Sequence, residues 1–339
     1  NGESGRTCCT LSVPFPLGAV SCSSQGSTVS LGWSNGGDYD TINVKRDGLL
    51  IATISGELET YTDEQVPFGD HVYTLRAKLR LGITAPESCG LRVLASPENM
   101  TCVGEADQVR ITWDNPATAY TNVEVRRGDD LIATLSGDDT EYIDLGRSPG
   151  EYSYSLEGTH DSSRSDSSDC ETVIPEPVNT LGTNLLEGTN ALLTWAPTDT
   201  DVESVEIFRD GLAIAIVPAS ITSHIDPNLS PGTYNYCVRS RIGDNYSTDT
   251  CKDAIVPIPP NSIACSVESA VATIMWGNGE VYDTVILMRD GGTIIEFLDG
   301  NVTSYVDANP GPGPHMYTVS GRIGDFVSTD LSCVVTVPY

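Results

Sequence analysis

The chain has 339 residues, 39% of them apolar, and carries 47 acidic against 18 basic side chains for a net charge of −29. A charge of that sign and size repels nucleic-acid phosphates and anionic membranes, which excludes nucleic-acid binding. Ten cysteines point to an oxidising compartment, and no apolar run approaches the roughly 18 to 20 residues that cross a bilayer as a helix, so a secreted, extracellular or cell-surface protein with no membrane insertion is expected.

No charged-then-apolar leader opens the sequence, which reads as a mature chain. The excess of Asp and Glu is accounted for by a solubilising surface. Ca²⁺ bridging between domains is the alternative, but no Asp-x-Asp-x-Asp run is present to build a dense ligand loop. No other cofactor is implied.

Residues 1–19 stand outside any repeat. Cys8 and Cys9 are adjacent, and adjacent cysteines close on each other only through a strained peptide. A vicinal bridge, an intermolecular bond and free thiols all remain open. The stretch Thr10 to Leu17 alternates in polarity and is capped by Pro14 and Pro16, as a donor or linker strand would be.

From residue 20 onward a repeat organises the sequence. Trp33, Trp113, Trp195 and Trp276 are spaced by 80, 82 and 81 residues. Before each Trp two apolar residues alternate: Val29 and Leu31, Val109 and Ile111, Ala191 and Leu193, Ala272 and Ile274. Each pair predicts a half-buried strand ending on the indole. A second alternating pair follows at Ile42 and Val44, Val123 and Val125, Val205 and Ile207, Val285 and Leu287, and it runs into Arg46-Asp47-Gly48, Arg209-Asp210-Gly211 or Arg289-Asp290-Gly291. Asp and Gly there supply the local hydrogen bond and positive φ of a tight hairpin.

An aromatic-x-Asp element comes next, at Tyr61 and Asp63, Tyr142 and Asp144, and Tyr305 and Asp307, with His224 and Asp226 as its variant; it reads as a strand end followed by a turn. Gly69, Gly150, Gly232 and Gly313 then each precede a Tyr by four residues, at Tyr73, Tyr154, Tyr236 and Tyr317, in what should be long strands with buried rings. A polar hairpin and a last strand close the unit. About seven short strands per unit, without helical periodicity, are the signature of a β-sandwich. The Trp and Tyr residues are the expected core anchors, each indole contributing up to about 4 to 6 kcal/mol through burial.

These motifs resemble bacterial fibronectin type III-like repeats, also described as immunoglobulin-like, over residues 20 to 338. The resemblance implies four tandem seven-stranded sandwiches, with domains at 20–96, 97–176, 177–258 and 259–339. It also implies a spacer, scaffold or binding role, as in secreted bacterial surface proteins. The regular cysteines and short units depart from the family pattern.

Cys22, Cys102 and Cys265 lie eleven residues before their Trp, and Cys89, Cys170 and Cys333 lie 56 or 57 after it. Three equivalent first-to-last-strand disulfides are expected, each closing a loop of 67 or 68 residues and contributing about 4 kcal/mol in the chain-entropy picture. In the third repeat Asn184 replaces the first cysteine, and Cys237 appears beside Cys251, predicting a cross-strand bridge; bonding of one of them to another subunit is the alternative.

No Ser, His and acid set recurs, and His71, His160, His224 and His315 are scattered over four repeats, so neither a triad nor a metal site is expected. Arg127-Gly128-Asp129 spells an integrin-type tripeptide but sits at the hairpin position, as a permuted turn. Tyr246 and Phe326 mark matching hairpin tips and are candidate contact loops. Asn99, Asn245 and Asn301 head glycan-acceptor triplets, while at Asn228 the triplet is followed directly by Pro231.

The expected function is a non-enzymatic extracellular structural protein, a cell-surface or filament subunit assembled head to tail with copies of itself through its N-terminal segment and C-terminal domain. Val337-Pro338 corresponds to the Val256-Pro257 and Ile174-Pro175 stretches that lead into a next domain, so a further unit is expected beyond it. The alternatives are a spacer or glycan-binding portion of a polysaccharide-active enzyme, or an adhesin.

Overall fold

The computed structural model describes residues 14–117, 120–196 and 201–339. Every regular element among them is a β-strand. In the first repeat these are β1 (Gly18–Gln25), β2 (Thr28–Ser34), β3 (Thr41–Arg46), β4 (Leu49–Ser55), β5 (Thr60–Asp63), β6 (Gly69–Leu79), β7 (Gly82–Ile83) and β8 (Glu87–Val93). β1, β2 and β5 form one antiparallel layer, with Cys22 opposite Leu31 and Val29 opposite Asp63. β4, β3, β6 and β8 form the other, with Val44 opposite Leu75 and Tyr73 opposite Cys89. The two-residue β7 continues β8 along the edge of β6, so the seventh strand of the sandwich is interrupted once.

The order recurs three times. Its first strands are Glu98–Glu105, Leu181–Leu186 and Ser262–Glu268, and its long sixth strands are Gly150–His160, Gly232–Ile242 and Gly313–Ile323. The chain is therefore an all-β array of disulfide-stapled sandwiches. Strand alternation sets each core: Val29, Leu31, Ile42, Val44, Tyr73 and Leu75 all point between the layers of the first repeat and are buried. The four indoles are also buried, with 3 to 6% of their surface exposed.

Three disulfides join first to last strands across the two layers, Cys22 to Cys89, Cys102 to Cys170 and Cys265 to Cys333. The third repeat has instead Cys237 bonded to Cys251, which lie opposite each other on adjacent antiparallel strands. Packing divides the chain into two compact units. The first contains the chain up to Val103 with Gln108–Arg147 and Glu151–Val173, and the second contains Gly104–Asp107, Ser148–Gly150 and Ile174–Tyr339.

Candidate functional site

The polar interior of every repeat is one constellation. The hairpin arginine donates from Nη1 to the aspartate of the aromatic-x-Asp element, and the buried tyrosine of the sixth strand donates to the same Oδ2. The distances are 2.7 and 2.7 Å for Arg46 and Tyr73 on Asp63, 2.7 and 2.8 Å for Arg127 and Tyr154 on Asp144, 2.7 and 2.6 Å for Arg209 and Tyr236 on Asp226, and 2.6 and 2.8 Å for Arg289 and Tyr317 on Asp307. Burial, then the bonded carboxylate, pushes Tyr73, Tyr154 and Tyr236 well above the usual phenol range and Tyr317 up to about 12. At Asp307 burial disfavours the charge, but the Tyr317 hydroxyl, the Asn309 amide and Arg289 outweigh it and hold the carboxyl low. Each carboxylate is thus fixed by two charge-assisted bonds and serves the fold.

This arrangement explains the Arg127-Gly128-Asp129 tripeptide. Arg127 is committed to Asp144 inside the repeat. At the other hairpins both central residues have positive φ, for example Asp47 at 52° and Gly48 at 83°, whereas here Gly128 at 54° takes the first position. Gly-Asp in that order is a turn that needs positive φ only at its first central residue.

The hairpin aspartates of the other repeats reach back to the sixth strand. Asp47 accepts the Val72 amide (2.9 Å) and Asp290 the Met316 amide (3.0 Å), and each faces a histidine Nδ1, His71 at 2.7 Å and His315 at 2.8 Å. The opposite ring nitrogens face the carbonyls of Pro67 and Gly311, so both bonds of each ring form together only when both nitrogens carry hydrogen. His160 bonds Thr121 Oγ1 through Nδ1 at 2.9 Å, and His224 lies in the strand Ser223–Asp226. A groove of about 290 Å³ in the first unit is lined by Asp70, His71, Arg92, His160 and Ser163, but Arg92 is held by both oxygens of Asp70 and His71 by Asp47 and Pro67. Arg92 and His71 are therefore already engaged by protein groups.

One cluster among the described residues has the spacing of a metal site, Cys237, Asp249 and Cys251. Its two sulfurs are joined in a disulfide, which removes the thiolates a metal would need. Asn99 is exposed with Nδ2 on Asp114 at 2.8 Å, Asn301 is exposed in a turn, and Asn245 Oδ1 accepts the Gly104 amide at 2.7 Å within the second unit. Cys8, Cys9 and the first part of the strand expected for Thr10 to Leu17 lie outside the described residues, and Pro14 to Leu17, which are described, form no strand ahead of β1.

The contacts between consecutive repeats form the most distinctive surface. In the first unit the end of β1 runs parallel to Ser163–Arg164, pairing Ser24 with Ser163 and Gln25 with Arg164. The Gly26 amide donates to the Arg164 carbonyl (2.9 Å), Gln25 Nε2 to the Ser165 carbonyl (2.5 Å) and Ser162 Oγ to the Cys22 carbonyl (2.9 Å). In the second unit the Ala106 amide makes the equivalent bond to the Tyr246 carbonyl (2.9 Å). Also in that unit, Gly188 sits so close to Thr329 that a Cβ would fall 2.6 Å from its amide, and Phe326 packs on the core containing Trp195 and Tyr236. In each case the turn after a repeat's first strand meets the hairpin before the next repeat's last strand. Tyr246 and Phe326 are accordingly half-buried, and the Arg239 guanidinium lies 4.3 Å from the Tyr246 ring centroid.

Three further tyrosines pin the connecting segments. Tyr120 donates to the Ala95 carbonyl (2.6 Å), Tyr282 to Ile258 (2.7 Å) and Tyr39 to Phe15 (2.7 Å). Their one signal in the sequence is a spacing, six or seven residues after Trp33, Trp113 and Trp276.

Layers of β1–β2–β5 and β4–β3–β6–β8 make these fibronectin type III-like sandwiches. No protein-family model and no curated protein matches the sequence. Solved structures with similarity include the FN1–FN3 domains of chicken CNTN1, at 16% identity over 72% of this chain and 99% of that one with a TM-score of 0.31. Others are the central fibronectin-III array of RIM-binding protein (17%, 73% and 99%, TM-score 0.22) and a two-domain fibronectin type III segment of chicken tenascin (18%, 48% and 100%, TM-score 0.26).

Proposed function

We propose that this chain is a non-enzymatic extracellular structural protein of four domains, 20–96, 97–176, 177–258 and 259–339, that serves as a stiff link and assembles head to tail with copies of itself. The observation that carries this reading is the recurring main-chain contact between the first-strand turn of one repeat and the hairpin of the next. Together with the tyrosines on the Ala95 and Ile258 carbonyls, it replaces a flexible linker by a fixed joint within each unit.

The four disulfides fit an oxidising exterior. The recurring Arg, Asp and Tyr sets support a scaffold rather than a reaction centre, because each is closed on itself inside its own repeat. A secreted surface protein of bacterial type is the setting that the sequence motifs favour. Negative-stain electron microscopy of the purified chain tests the assembly: regular fibres are expected, and only monodisperse particles at all concentrations would overturn it.

A further inference from the structure

We infer that the hairpin Arg80–Ile83 of the first repeat is the receiving face for a second copy of this chain, whose Glu268–Ala270 turn docks on it as Gln25–Ser27 docks on Asp161–Arg164. This rests on the head-to-tail reading above and names its surface.

The receiving hairpin has the backbone that the internal joints use, and the docking turn shares their first central residue. Arg80 has φ 53°, matching Asp161 at 50°, Gly243 at 56° and Gly324 at 56°. The hairpin is preformed, with the Arg80 amide on Asp40 Oδ2 (2.5 Å) and Thr84 Oγ1 accepting from the Ala77 amide (3.0 Å), as Ser165 and Ser328 do for Gly158 and Gly321. At the other face Ser269 has φ 52°, matching Gly26 at 51° and Ala106 at 59°, although Ala270 after it is also positive at 67°, unlike Ser27 and Asp107. The Ser269 amide then stands where the Gly26 and Ala106 amides do when they donate to Arg164 and Tyr246, and the Ile83 carbonyl stands where those acceptors do.

The side chains differ from the internal joints in a way that suits two separate molecules. Leu81 is 92% exposed and Ile83 52% exposed, where the first joint has Ser162 and Arg164. The groove that Ser162 enters is bordered by Val72 and Gly90; on the fourth repeat the corresponding residues are Met316 and Val334, 39% and 65% exposed. In that register the exposed Leu81, standing where Ser162 does, faces Met316 and Val334, which adds the burial that a joint without covalent linkage needs. Arg76, Lys78 and Arg80 bring three of only 18 basic residues onto the exposed side of this hairpin, and Glu268 is the exposed acid beside the docking turn. Opposite charges select this register over others.

The test uses the full chain with benzoylphenylalanine at position 81, mixed with an isotope-labelled copy and irradiated. Cross-linked peptides joining position 81 of one copy to the region of Glu268–Ala270, Met316 or Val334 of the other are expected. Leu81→Asp and Ile83→Asp should each weaken self-association by about tenfold or more in sedimentation velocity, with Leu145→Asp, at another exposed leucine, unchanged. Fibres that persist in both variants, or cross-links that map elsewhere, overturn this surface and leave the filament reading standing. Absence of fibres and of any cross-link between copies overturns both.

Discussion

At the scale of single residues, the aspartate that holds both an arginine and a tyrosine carries the largest consequences. Asp226→Ala leaves the buried Tyr236 hydroxyl without an acceptor and Arg209 without its carboxylate, and should destabilise the third repeat by about 2 to 3 kcal/mol, whereas Tyr236→Phe should cost about 1 kcal/mol. Amide hydrogen exchange along Gly232–Ile242 reads the difference locally. The hairpin aspartates give a pH dependence. The Val72 amide and His71 hold the Asp47 carboxyl below its ordinary range, and His315 and the Met316 amide do so for Asp290. Because the unfolded carboxyls take up protons at higher pH than the folded ones, these contacts stabilise fully above about pH 4 and are lost as pH falls through the folded values. Thermal unfolding should therefore weaken below about pH 4, with a shallower acid slope in Asp47→Asn and Asp290→Asn.

At the scale of elements, strand alternation, turn chemistry and cysteine spacing made most of the fold readable, because each is a local pattern with a period that the β-sandwich imposes. The Arg, Asp and Tyr constellation was not readable. Arg46 and Asp63 lie 17 residues apart, one in a turn and one at a strand end, and only the packing of one layer on the other brings them together. The joints were harder still, since Gln25 and Ser165 are 140 residues apart and meet largely through backbone, which leaves no side-chain signature. The two disulfide designs make a prediction of their own. Loops of 68 and 14 residues differ in closure entropy, so replacing Cys102 and Cys170 by alanine should cost about 4 kcal/mol and replacing Cys237 and Cys251 about 3 kcal/mol. Calorimetry of the paired variants measures both.

At the scale of the whole molecule, the charge of −29 opposes any association of like copies, while the proposed face at Arg80 and Leu81 is locally basic and apolar. The two contributions respond oppositely to salt. Long-range repulsion between copies is screened once the Debye length falls to about 10 Å near 0.1 M, the apolar contact is not weakened, and the attraction of Arg80 for Glu268 is reduced but short-ranged. The repulsion involves far more charges than the one favourable cluster, so self-association should strengthen as NaCl rises from low concentration to about 0.5 M. Light scattering against concentration measures it, and NaCl alone should suffice. If assembly instead required Ca²⁺ and saturated at low millimolar levels with ionic strength held constant, the acidic surface would be binding cations at specific positions. If it weakened with NaCl, the basic hairpin would be dominating through charge, and Arg80→Glu would then dissociate the copies more than Leu81→Asp. The expected order is the reverse, because the exposed leucine loses a desolvated contact whereas the arginine loses a screened one.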